Sequence, residues 1–221
     1  MGNSLVELDK RTSDCGLCGL AFKRADAGVK TAFGWGNAKA KYVLVTGTPV
    51  YGLETETEEQ KILKKIWNAN GFREEDWFVT HAIMCPNAYE ETTYLHIDAC
   101  KPRLHDTIDI IEPDLIVTSS TIAVYAVLGY DNMLSMLPSP GSLSHQINFS
   151  DETNLGLNRF YYVNTKTDKH IRIANVIDIS AYVRGREEFK KNPEAVQEEA
   201  LRLMDSWTHV YNFINDDRWP F

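Results

Sequence analysis

No stretch of this chain approaches the ~18–20 consecutive apolar residues of a membrane-spanning helix, so no membrane partner is expected. Low-complexity tracts and internal repeats are missing too, which excludes fibrous and solenoid architectures. Met1–Lys10 carries Glu7, Asp9 and Lys10 and lacks the apolar core of a secretory signal, so a cytoplasmic, intracellular location is expected. Positive charge is in short supply. Lys and Arg number 23 against 31 Asp and Glu, giving a net charge of −8. That excludes indiscriminate binding to nucleic acid through bulk charge, though not a local basic groove. Cysteine is scarce as well: Cys15, Cys18, Cys85 and Cys100 are all there is in 221 residues.

Those four are placed informatively. Cys15-Gly16-Leu17-Cys18 is a tight hook, while Cys85 and Cys100 lie far downstream with fourteen residues between them. Disulfides rarely persist inside cells. Four unrelated buried thiols and a redox-active hook remain as alternatives, the latter without the following βαβ context such a motif needs. The pattern favours a metal site that ties the N-terminus to mid-chain. Zinc ribbons usually repeat the short hook, and the second pair here is too wide for a knuckle. This tilts the reading from zinc toward an iron–sulfur cluster without deciding it.

The apolar fraction, 43%, suffices for one core, and the length suits a single domain over residues 1–221. Residues 1–40 read as mostly loop with short helical turns. Lys41–Thr46 is an apolar, β-branched run stopped by Gly47 and Pro49, and reads as a buried strand. A helix follows from Thr57, its cap, to Asn70, with Gly71 ending it. Trp77–Ile83 is a second strand. Leu95–Ile111 is a helix with Cys100, Leu104 and Ile108 on one face. Leu115–Thr118 is a third strand, Thr121–Leu128 a helix, and Phe160–Val163 a fourth strand. Another helix starts within Asn175–Val183, and Glu194–Phe213 is an amphipathic terminal helix. Strand and helix alternate, so the expected fold class is α/β. It should be a three-layer αβα arrangement around a central, mostly parallel sheet of about four strands. Functional groups collect at the carboxyl ends of such strands. Here these are Thr46–Tyr51, His81–Asn87, Thr118–Thr121 and Asn164–Lys169, which offer Thr48, Tyr51, His81, Asn87, Ser119, Ser120 and Asn164 as polar groups.

Val79-Thr80-His81-Ala82-Ile83-Met84-Cys85-Pro86, then Cys100-Lys101-Pro102-Arg103-Leu104, then Ile111-Glu112-Pro113-Asp114-Leu115-Ile116-Val117 carry a resemblance. Over about residues 12–183 the chain resembles the iron–sulfur uracil-DNA glycosylases, often called family 4, within the wider uracil-DNA glycosylase superfamily. The resemblance implies a glycosylase-like α/β fold. It also implies Cys15, Cys18, Cys85 and Cys100 as ligands of a [4Fe–4S] cluster, and DNA, single-stranded or distorted, as partner. His81 stands where the family often has an Asn that reads uracil.

Two family motifs are altered. Where the family has a Gly-Glu-Ala-Pro-Gly-like turn with a water-activating carboxylate, this chain has Thr46-Gly47-Thr48-Pro49-Val50. Where it has His-Pro-Ser after the last strand, the sequence offers Asn164-Thr165-Lys166-Thr167 behind Val163. The expectation is a divergent member with weak or absent uracil excision, His81 and Asn164 standing in as catalytic groups. Thr48, Tyr51, Asn87 and Ser119 would contact substrate. A non-catalytic assembly protein that keeps fold and cluster is the alternative. Altered motifs with retained ligands suit a viral or mobile-element paralogue, phage-encoded in a bacterial host. Lys166, Lys169, His170 and Arg172 form the expected DNA-binding set, with Tyr51 and Tyr162 as base-stacking aromatics. The C-terminal Trp219-Pro220-Phe221, after Asp216 and Asp217, resembles the acidic tip of single-stranded-DNA-binding proteins. One reading is a docking tail for a replication or repair protein; the other, and the favoured one, is that Trp219 and Phe221 fold back to close the core.

Overall fold

A computed structural model describes residues 4–49, 56–86, 92–129, 161–188 and 192–215. Tyr51, Asn87 and the Trp219-Pro220-Phe221 tail lie outside the described residues. The chain runs α1 (Leu5–Ser13), α2 (Gly19–Asp26), β1 (Gly34–Gly36), β2 (Tyr42–Thr46), α3 (Glu58–Asn70), β3 (Trp77–His81), α4 (Tyr94–Ile111) and β4 (Leu115–Thr118). It continues through α5 (Thr121–Leu128), β5 (Tyr161–Val163), β6 (His170–Asn175), α6 (Ile179–Glu188) and α7 (Pro193–Ile214). The N-terminus, expected as mostly loop with short helical turns, forms two short helices. The first is fixed by a capping box in which Ser4 and Glu7 bond each other's backbone N–H.

One mixed sheet of six strands, in the order β1-β3-β2-β4-β6-β5, organises the fold. The inner four are parallel, and β1 and β5 pair antiparallel at the two edges. Six strands replace the expected four for identifiable reasons. β1 is only Gly-Trp-Gly, too short and glycine-rich to announce itself. Gly34 and Gly36 sit at φ 150° and 116°. A Cβ on Gly34 would lie 2.5 Å from the Val79 carbonyl, so the close approach of β1 to β3 requires glycine. β6 was hidden behind its polar alternate residues, His170 and Arg172.

Alternation along the inner strands builds two cores. Val43, Val45, Phe78, Ile116, Ile171 and Ile173 face one layer, where Leu104, Ile108, Ala123 and Val127 come from α4 and α5. Leu44, Trp77, Val79, Leu115, Val117 and Ala174 face the other, with Leu63, Ile66 and Trp67 of α3 and Leu203 and Trp207 of α7. Trp67 and Trp77 stack with centroids 4.9 Å apart, and Trp207 meets Trp77 edge-on at 5.5 Å. Both faces are covered, so the parallel strands read as continuous apolar runs. Among the described residues no helix is long and apolar enough to cross a membrane.

Candidate functional site

The four parallel strands end level with one another. Thr46 of β2 lies opposite His81 of β3, Val45 opposite Thr118 of β4, and Thr118 opposite Asn175 of β6. The ladder continues past the strand ends. Ala82 N donates to Thr46 O at 2.8 Å, Ser119 N to Val45 O at 3.1 Å and Val176 N to Thr118 O at 2.8 Å. Gly47 lets β2 run close to the start of α5, since a Cβ there would come within 3.1 Å of Ser120 Oγ. Above this edge opens a cleft. Thr46, Thr48, Pro49, His81, Ser119 and Asp178 line it from the strand ends, and Trp35, Glu59 and Gln60 from the side of β1 and α3.

His81 dominates the floor. Its Nδ1 pairs with Thr46 Oγ1 at 2.6 Å, which fixes the ring. Burial pushes its pKa down to about 4, so the imidazole is neutral near pH 7. Its Nε2 is buried and bonded to no protein group, as is Ser119 Oγ. Buried polar atoms are normally satisfied. Two orphans lining one cleft leave hydrogen-bonding capacity for a ligand.

The expected substrate groups Thr48, His81 and Ser119 therefore come together. Asn164 does not. It is fully buried in the β5–β6 hairpin, where its Oδ1 accepts from Lys166 N and Thr167 N and its Nδ2 donates to Asp109 O. That is a turn-forming role. The reason is topological: β5 is an antiparallel edge strand, so its end points away from the cleft. The last parallel strand is β6, and the loop behind it is Val176-Ile177-Asp178. Sequence reasoning missed Asp178. The β-branched run Ile171–Ile177 was the available signal, broken by Arg172 and Asn175.

The same topology moves the basic set. Lys166, Lys169 and His170 lie where β6 begins, at the opposite end of the sheet from the cleft. Lys169 Nζ pairs with Asp114 at 2.9 Å and with the Glu112 carbonyl at 3.2 Å, just before β4. Arg172 places its guanidinium over the Phe213 ring of α7 at 5.4 Å. Tyr162 is buried and donates to Asp109 at 2.8 Å, so it is no stacking platform.

On the far core, α1 and α2 hold the hook against α4. Cys15 and Cys18 are half-buried, and Cys85 and Cys100 are buried; all are free thiols. Burial raises the Cys85 thiol, and the Arg24 guanidinium, which hydrogen-bonds it, opposes the rise. Burial pushes Cys100 up to about 11, partly offset by a backbone hydrogen bond from Met84. Cys15 and Cys18 add to both shifts. Among the described residues no three His, Cys, Asp or Glu side chains close on a single-ion position. Arg24 also donates to the Ser13 and Cys15 carbonyls at 3.2 and 3.4 Å, linking the hook to Cys85.

A family model described as the uracil DNA glycosylase superfamily matches residues 33–198. The chain belongs to that superfamily. No curated protein matches it. Membership of the uracil DNA glycosylase superfamily fits the observed α/β fold and suggests a DNA glycosylase-like function.

Proposed function

We propose that this chain is a divergent iron–sulfur member of the uracil DNA glycosylase superfamily. It receives a nucleobase flipped out of single-stranded or distorted DNA, in a repair or replication setting, and excises uracil weakly or not at all. The observation that carries the reading is that His81 and Ser119, two residues lining the cleft at the strand ends, each hold a buried polar atom with no protein partner, Nε2 and Oγ. Flipped bases are held by hydrogen bonds to their polar edge in such pockets. The weakness follows from the turn after β2, where Gly47-Thr48-Pro49 brings hydroxyl and backbone groups but no carboxylate. The altered turn also favours the second reading, a non-catalytic assembly or interaction protein that keeps the fold and cluster.

The four thiols fit a [4Fe–4S] cluster. They tie the N-terminal hook to mid-chain, and the ligands would be Cys15, Cys18, Cys85 and Cys100. Ligands on separate irons need not converge on one point, whereas a single zinc needs them at about 2.3 Å from one ion. The cluster would supply a structural tie between the hook and α4, and loading it would release the protons that burial keeps on Cys85 and Cys100.

The test is a release assay with single-stranded uracil-containing DNA, run beside a binding titration with the same strand. Salt-sensitive binding that weakens at least tenfold in His81→Ala or Ser119→Ala, with slow or undetectable release, is the expected result. Turnover typical of an efficient glycosylase would refute the weak-excision reading. Binding indifferent to both substitutions would remove the cleft as the base site.

A further inference from the structure

We propose that Asp178 is the catalytic carboxylate of this cleft, delivered by the β6–α6 loop rather than by the turn after β2. The inference rests on the reading of the cleft as a nucleobase site. Asp178 stands three residues beyond β6, whose end is level with those of β4 and β2. It lines the same space as His81, Ser119 and Thr48. Its side chain is half-buried, and its Oδ1 accepts from Ser180 N at 3.0 Å while its carbonyl accepts from Tyr182 N at 3.0 Å. Asp178 thus sits at the N-cap of α6. That bond fixes the carboxylate's direction, and the N-terminal end of a helix favours its negative charge. The two orphaned atoms in the cleft are independent of it and point to a ligand.

Cleaving an N-glycosidic bond needs a carboxylate beside the sugar and hydrogen-bonding groups at the base. As the C1′–N bond breaks, its electron pair leaves with the base and positive charge develops on the sugar. The carboxylate stabilises that charge and accepts a proton from the water whose oxygen bonds to C1′. The proton then passes to the departing base, leaving an abasic sugar and free base, with water the only co-reactant. His81, neutral, and Ser119 hold the polar edge of the base. The substrate class is a deoxynucleotide whose base leaves readily as an anion, as uracil, hypoxanthine and xanthine do. Glu59 also lines the cleft, but from the first turn of α3.

The cap and the catalytic role separate by substitution. Asparagine caps helices as well as aspartate does, so Asp178→Asn keeps the α6 cap and removes the charge. Single-turnover release of uracil, hypoxanthine and xanthine from single-stranded DNA is measured for wild type, Asp178→Asn, Asp178→Ala and Glu59→Gln. Asp178→Asn should melt with wild type, bind the strand within threefold of wild type, and release base about 100-fold more slowly. The wild-type rate should fall as the pH drops through the carboxylate range. Release by Asp178→Asn within threefold of wild type overturns the proposal, as does loss of activity confined to Glu59→Gln. A wild type that releases none of the three bases also overturns it. In that case, binding that still depends on His81 and Ser119 would leave the nucleobase reading of the cleft standing.

Discussion

Replacing His81 by Asn should abolish a distinct component of the pH dependence of stability. The ring is buried, pairs only through Nδ1 with Thr46, and has its pKa lowered to about 4 by desolvation. In the unfolded chain the same group titrates near 6.5. As the pH falls, the unfolded state takes up the proton first. The contribution is therefore complete above about pH 6.5, declines as the pH falls, and levels off below about pH 4. The full span corresponds to about 3 kcal/mol, of which about 2 kcal/mol is lost between pH 7 and pH 5. Asn is neutral throughout. Equilibrium urea unfolding at half-unit steps from pH 7 to pH 5, read by emission of the buried Trp67, Trp77 and Trp207, gives both curves. The wild type should lose about 2 kcal/mol more than His81→Asn over that interval. His105, also held below its ordinary value chiefly by burial, is common to both proteins and cancels in the difference. Parallel curves, within about 0.5 kcal/mol of each other, would mean that the folded protein protonates His81 as readily as the unfolded chain does, and the account of a ring held neutral by burial would fall.

Protein purified without oxygen should be brown, with the broad visible absorption of iron–sulfide charge transfer, and Cys85→Ser should lose both iron and several degrees of melting temperature. Colourless protein with stoichiometric zinc would refute the cluster. Lys166→Glu combined with Lys169→Glu should leave binding to single-stranded DNA within about threefold of wild type, because these residues flank the sheet end remote from the cleft; since each phosphate contact contributes to the salt slope, a shallower salt dependence in the double mutant would place DNA there after all.

The inner sheet was legible because its strands are buried on both faces. Lys41–Thr46, Trp77–Ile83 and Leu115–Thr118 are apolar, β-branched runs with nothing else to be. Helices α3, α4, α5 and α7 were legible from spacing and caps, and Thr57 caps α3 in the expected way. The edges were not. β1 carries too few side chains to show a period, and β6 carries Arg172, whose guanidinium lies over Phe213 rather than in water. Taking β5 for the last parallel strand displaced the second site loop by one strand. Asn164 was then credited with a role that the loop around Asp178 is placed to perform. Thr48, His81 and Ser119 fall on one cleft because the strands carrying them were assigned correctly. The cysteine spacing survived every such error, since four thiols in a chain with no others need no secondary-structure assignment to stand out.

The six-stranded sheet stops on each side at a strand of three residues, Gly34–Gly36 at one edge and Tyr161–Val163 at the other. The exposed rim of a sheet is a template on which another copy can add a strand, and its length sets how many backbone bonds that copy gains. Here the long, apolar, readily aggregating strands are all interior. What faces outward offers only two or three rungs, and one of the two rims is mostly glycine, which gives an incoming strand no side chains to pack against. The chain should therefore tolerate high concentration without stacking sheet to sheet.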